Sequence, residues 1–199
     1  MPEPRRVAVV GDAGHYVGPE LARHLAVRGY ARLFIQNTWL HDDTYDYTEG
    51  IRWWRSAATD PEQLGGDMPT GDIVAGSPRR PDLDAETIRA AFDAPFPDAA
   101  SKAGARRFPY CLPFAEPELG DADLQASTRR LLGTWDIPIH IAFGDADGVF
   151  TWEWAEQWAT ELPGATLDRV PEAGHFVQME PPEDELAVIR IHLPSAAPS

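Results

Sequence analysis

Short, wholly apolar runs that stop at loops carrying Gly, Asp or Asn constrain this chain more than any other feature. Val7-Ala8-Val9-Val10 ends in Gly11-Asp12-Ala13-Gly14, and Leu33-Phe34-Ile35 ends in Gln36-Asn37. A strand with no polar face must be buried on both sides, which is the condition of a strand inside a parallel sheet. Between these runs, Leu21, Ala22, Leu25 and Ala26 fall at helical spacing over Pro19 to Arg28, and Gly29 can stop the helix. Such a strand–helix–strand unit crosses over right-handed. Strand patterning returns with Ile137 to Phe143, which is followed by Gly144-Asp145-Ala146-Asp147-Gly148. It appears again in Thr166 to Val170, which leads into Glu172-Ala173-Gly174-His175-Phe176-Val177. The spacing predicts a helix over Thr151 to Leu162, with Thr151 as N-cap and Pro163-Gly164 as stop. Another is expected from Pro182 to about His192, and the tail from Pro194 is expected to fray.

From Asn37 to about Trp135 the periodicity weakens. Gly65-Gly66, Met68-Pro69 and Ser77-Pro78 punctuate it, with a helix expected from Asp84 to Phe92. This stretch reads as an inserted cap, with no internal repeat. A chain of 199 residues, 43% hydrophobic and with seven Trp, is long enough for one substantial core. The net charge of −15, with no stripe of basic residues, argues against a nucleic-acid or anionic-membrane partner. Cys111 stands alone, so neither a disulfide framework nor a thiolate metal cluster is expected. Met1 to Arg6 leads into only four apolar residues, too few for a secretory signal, and no run approaches membrane-spanning length. A soluble, cytoplasmic protein is the expectation.

Asp12, Asp147 and His175 each lie just past the end of a predicted parallel strand, the edge at which open α/β sheets place ligands. Histidine has an ordinary pKa near neutrality and suits general-base work. The order nucleophile, acid, histidine is that of the α/β-hydrolase triad. With aspartate as nucleophile, attack on carbon gives an ester that a histidine-activated water can hydrolyse. Each residue alone has a plainer reading. Asp12 can be a turn or helix-cap residue, the Gly-Asp-Ala-Asp stretch a solvated turn, and His175 an exposed or structural loop residue.

Three segments carry a resemblance to a known family: Leu33-Phe34-Ile35-Gln36-Asn37-Thr38-Trp39-Leu40, Ala94-Pro95-Phe96-Pro97-Asp98 through Arg107-Phe108-Pro109, and Ala173-Gly174-His175-Phe176-Val177-Gln178. From Arg32 onward the chain resembles the haloalkane dehalogenases of the α/β-hydrolase fold. The resemblance implies His175 as base and Asp147 as acid, with Asp145 the lesser candidate, and aligns Asp12 with the nucleophile. It also implies that Trp54, in Arg52-Trp53-Trp54-Arg55, offers an indole N–H to a leaving halide. Cap packing is the plainer reading of Trp53 and Trp54. Ala13 stands where the family has a Trp, so the halide would keep the backbone N–H of Ala13 and lose one indole donor, at a cost of about 1–3 kcal/mol. Only six residues precede Val7, so the family's earlier strands and the oxyanion donor of an early loop are expected to have no counterpart.

Residues 5–31 resemble something else as well. Arg6 to Gly18, with Leu21-Ala22-Arg23-His24-Leu25-Ala26, is similar to the opening of short-chain dehydrogenases, whose glycine-rich turn receives a dinucleotide. Gly11, Gly14 and Gly18 depart from that family's spacing, no acid follows Ile35 for the ribose, and position 98 is Asp where a Tyr would pair with Lys102.

The expected architecture is a truncated α/β-hydrolase of about four parallel strands, with helices on both faces plus a helical cap. Residues 1–40 and 132–199 form the core and 41–131 the cap. The expected function is a dehalogenase-type hydrolase acting on a small-molecule substrate through Asp12, Asp147 and His175. Trp54 and Ala13 would hold the halide, and no metal or cofactor is called for. The alternatives are an NAD(P)-binding dehydrogenase-like remnant and a non-catalytic relic of a gene fusion. The apolar strand 7–10 lacks a flanking strand, which suggests a homo-oligomer paired through that edge.

Overall fold

Four strands lie side by side, all parallel, in the order β1 (Arg6–Val10), β2 (Tyr30–Gln36), β3 (Ile139–Gly144) and β4 (Thr166–Val170). The structure is a computed structural model and describes residues 6–10, 30–39, 47–77, 82–111, 122–180 and 182–193. Register sets Val10 against Ile35, Ile35 against Ile141, and Gly144 against Val170, so the strands end at one common edge. The four parallel strands match the number and places expected from the sequence. The predicted helix over Pro19 to Arg28 lies outside the described residues.

Burial follows position in the sheet. All six residues of the interior strand β3 are buried, His140 among them. In β4, at one edge, only Val170 is fully buried and Arg169 is exposed, so charge blunts that edge. Side chains alternate along β2. Leu33 and Ile35 face one layer, in a core with Ile139, Ile141, Phe143, Trp39, Trp154 and Trp158. Gln36 faces the other, where its amide donates to Glu185 at 2.6 Å. Helices therefore cover both faces.

Seven α-helices line up along the described chain before the last strand-to-helix turn: α1 (Glu49–Thr59), α2 (Leu64–Asp67), α3 (Thr70–Ala75), α4 (Ala85–Asp93), α5 (Ala103–Arg107), α6 (Ala122–Leu132) and α7 (Trp152–Glu161). An eighth, α8 (Pro182–His192), closes the chain at the residues the sequence predicts. α7 buries Trp154, Ala155 and Trp158, and the Trp158 indole N–H donates to the Thr38 carbonyl at 2.8 Å. Trp39 packs between Trp154 and Trp158, with ring centroids at 5.2 and 4.6 Å. Thr151 occupies the predicted N-cap position, but its side chain makes no capping hydrogen bond to the helix. Gly164, at φ 84°, turns the chain after α7 into β4, a left-handed conformation that a side chain would strain.

Between β2 and β3 every regular element among the described residues is helical. Weak periodicity in the sequence has a physical source here. α2, α3 and α5 span 4, 6 and 5 residues, too short to show a period. The α4 helix falls where the sequence predicts one, and none of its residues is buried.

Candidate active site

At the common strand edge, the loops after β3 and β4 are fastened to each other by their backbones. The N–H of Asp145 donates to Val170 O at 3.2 Å, and that of Ala146 to Ala173 O at 2.9 Å. A Cβ on Gly144 would stand 2.4 Å from Ala173 O, so the close approach of the loops requires glycine there. Glu172 adopts φ 59°, a left-handed turn, and its N–H is caught by Asp145 Oδ1 at 2.7 Å. The carboxylate of Asp145 is thereby committed to shaping the histidine loop.

That leaves Asp147 to meet His175. The imidazole Nδ1 lies 2.9 Å from Asp147 Oδ2, and a carboxylate only accepts, so Nδ1 carries the proton. The Asp147 side chain is wholly buried and that of His175 is 14% exposed. Three donors converge on the buried carboxylate: His175, the Val149 N–H on Oδ1 at 2.7 Å, and the Asn37 amide on Oδ2 at 2.8 Å. Such a group has its charge balanced by hydrogen bonds where water is excluded. Phe150 packs beside the imidazole, with ring centroids at 5.5 Å. A histidine pinned in one tautomer by a buried carboxylate can take a proton at its other nitrogen, the acid–base half of a hydrolytic triad.

The α1 helix sits on this loop. Thr48 Oγ1 donates to Val149 O at 2.8 Å, and a Cβ on Gly50 would come within 3.0 Å of Gly148 O. Trp54 on this helix is half-buried against the main core, whereas Trp53 is 56% exposed. Asp12 and Ala13 lie outside the described residues, as does the glycine-rich turn with Gly11, Gly14 and Gly18. Asp147 and His175 are thus brought together as a pair. Asn37 is the residue that reading the sequence missed as part of the site. Its signal was its address, since it follows a predicted strand as Asp12, Asp147 and His175 do.

Among the described residues no group of three or more His, Cys, Asp or Glu side chains could hold a metal ion, and no helix is long and apolar enough to cross a membrane.

No protein-family model matches this chain. Its sequence is 27% identical over 171 residues to a haloalkane dehalogenase of Psychrobacter cryohalolentis, covering 84% of the chain and 53% of that protein. It is 31% identical over 138 residues to a haloalkane dehalogenase of Mycobacterium marinum, covering 69% of the chain and 44% of that protein. The chain therefore spans about half the length of the curated relatives it matches. Its fold superposes on the tetrameric haloalkane dehalogenase of Paraglaciecola agarilytica with TM-score 0.75 at 23% identity, over 96% of this chain and 61% of that one. The chain has an α/β-hydrolase fold, and its likeness in sequence supports the haloalkane dehalogenase family.

Proposed function

We propose that the chain is a hydrolase of the haloalkane dehalogenase type, working through Asp12, Asp147 and His175 on a small apolar halide. The observation that carries the proposal is the 2.9 Å pairing of His175 with the buried Asp147 carboxylate at the strand edge. Asp12 follows β1 by two residues, and β1 ends at that same edge, with Val10 level with Ile35.

In this scheme an Asp12 oxygen attacks the carbon bearing the halogen. A carbon–oxygen bond forms as the carbon–halogen bond breaks, and the halide departs with the electron pair. His175 Nε2 then takes a proton from water, and the resulting hydroxide attacks the ester carbonyl. Collapse frees the alcohol and restores the Asp12 carboxylate, so that water and alkyl halide give alcohol, halide and a proton. Asp147 holds the tautomer and balances the imidazolium. The N–H of Ala13 and the indole of Trp54 are assigned to the halide. No metal or cofactor enters the scheme.

Halide release from a short bromoalkane tests it. Asp12→Asn is expected to abolish release and His175→Ala to stop it after the one halide per chain freed as the ester forms, and unchanged release in both variants rejects the assignment. His175→Gln should still form the ester and then stall, so its intact mass should rise by one alkyl group. Assembly belongs to the same reading: the edge of β1 is assigned to pairing with a second copy of the chain.

A further inference from the structure

We infer that Asn37 is a positioning residue of the site, holding the Asp147 carboxylate in the one orientation that meets His175. The inference rests on the reading of Asp147 and His175 as the acid and base of the proposed hydrolase.

The chemistry of the neighbours settles which way the amide points. Gly144 presents an N–H to Asn37 at 3.0 Å, and a donor needs an acceptor, so the atom facing it is Oδ1. Nδ2 is then turned to Asp147 Oδ2, 2.8 Å away, on the same oxygen that receives the His175 N–H. The Val149 N–H takes the other oxygen. Contacts at both oxygens fix the plane of the carboxylate as well as its place. The Asn37 contact comes from the end of β2, and the His175 contact from the loop after β4.

Asn37 is itself held. It is 1% exposed, and it lies between Gln36, bonded to Glu185, and Thr38, whose carbonyl accepts from Trp158. Its φ of 36° is left-handed, which Asn tolerates better than most side chains. Residue types other than Asn fail at identifiable atoms. A leucine would leave the Gly144 N–H and an Asp147 lone pair buried and unmet. An aspartate would satisfy Gly144 but set a second carboxylate oxygen against Asp147.

Two variants remove the amide donor while leaving the backbone turn accessible. Asn37→Gly accepts positive φ without strain, and Asn37→Asp keeps the acceptor for Gly144. Leu33→Ala, a core truncation on the same strand, serves as a control for lost stability. The readout is the Nδ1–H proton resonance of His175 in the full chain, identified by its loss in His175→Gln. The native chain and Leu33→Ala should show it sheltered from solvent exchange, and both Asn37 variants should lose it. Halide release should fall about ten- to a hundredfold in kcat, with KM within about threefold, because misplacement of a reacting group acts on the chemical step. A His175 resonance unchanged in both Asn37 variants overturns the inference. So does failure of both to fold while Leu33→Ala folds, since Asn37 would then be a structural residue. If no form of the chain releases halide, the proposed function fails, while the resonance still decides the role of Asn37.

Discussion

Gly144 stands where two loops cross with no room for a methyl group. Its Cβ position lies 2.4 Å from Ala173 O and 2.7 Å from Gly174 O, both backbone atoms that no rotamer change can move. Gly144→Ala is therefore expected to destabilise by about 1–3 kcal/mol in chemical denaturation and to shift the His175 loop away from Asp147. The two aspartates of the same loop should respond differently to loss of charge. Asn at position 145 still offers an oxygen to the Glu172 N–H, so Asp145→Asn should leave halide release within about threefold of the parent. Asp147→Asn removes the acceptor that pins the imidazole tautomer, and release should fall by about three to four orders of magnitude. From the sequence both aspartates are candidate acids. Their roles part only because the left-handed turn at Glu172 brings its N–H to one of them and the imidazole to the other.

At the scale of elements, the opposite end of the sheet carries a second polar cluster, built by β2, β3, β4 and α8. Arg32 Nη1 lies 3.4 Å from His140 Nε2, while His140 Nδ1 lies 2.8 Å from Thr166 Oγ1. Arginine only donates, so Nε2 accepts and the His140 ring is neutral. The His192 ring stacks on it with centroids 4.1 Å apart, and its Nε2 sits 2.6 Å from Asp168. Burial first, then His192 and Arg32, lowers the His140 pKa to about 4, with Asp168 opposing. The sign of the effect on stability follows. Above the ordinary histidine value of about 6.5 the ring is neutral folded or unfolded, and nothing is lost. As pH falls from there towards 4, the unfolded chain takes up a proton that the folded chain refuses, so stability drops. His140→Gln should lessen that drop, seen as a smaller change in urea midpoint between pH 7 and pH 4.5 than in the parent. Carboxylate titrations common to both proteins cancel in that difference.

For the whole molecule, β1 ends the sheet among the described residues, and its sequence is Arg6-Val7-Ala8-Val9-Val10. A strand edge presents unpaired N–H and C=O groups to any second strand. Concentration-dependent self-association is the expected outcome in sedimentation velocity. A monomer at every concentration would remove the β1 edge from the proposed function.

Sequence alone determined the sheet. Strand patterning between helical stretches marks parallel strands, and such strands deliver their loops to one edge, so the meeting of the loops that carry Asp147 and His175 was legible before any contact was known. The resemblance in the loop segments pointed the same way. Tertiary structure decided what depends on meetings between distant segments. Asn37 and Asp147 are 110 residues apart, and only the β2–β3 register brings the amide of one to the carboxylate of the other. The division of labour between Asp145 and Asp147 is likewise a matter of which loop each oxygen faces. Local pattern carries burial and turn chemistry; the direction of a hydrogen bond is set only once the packed layers bring its two ends together.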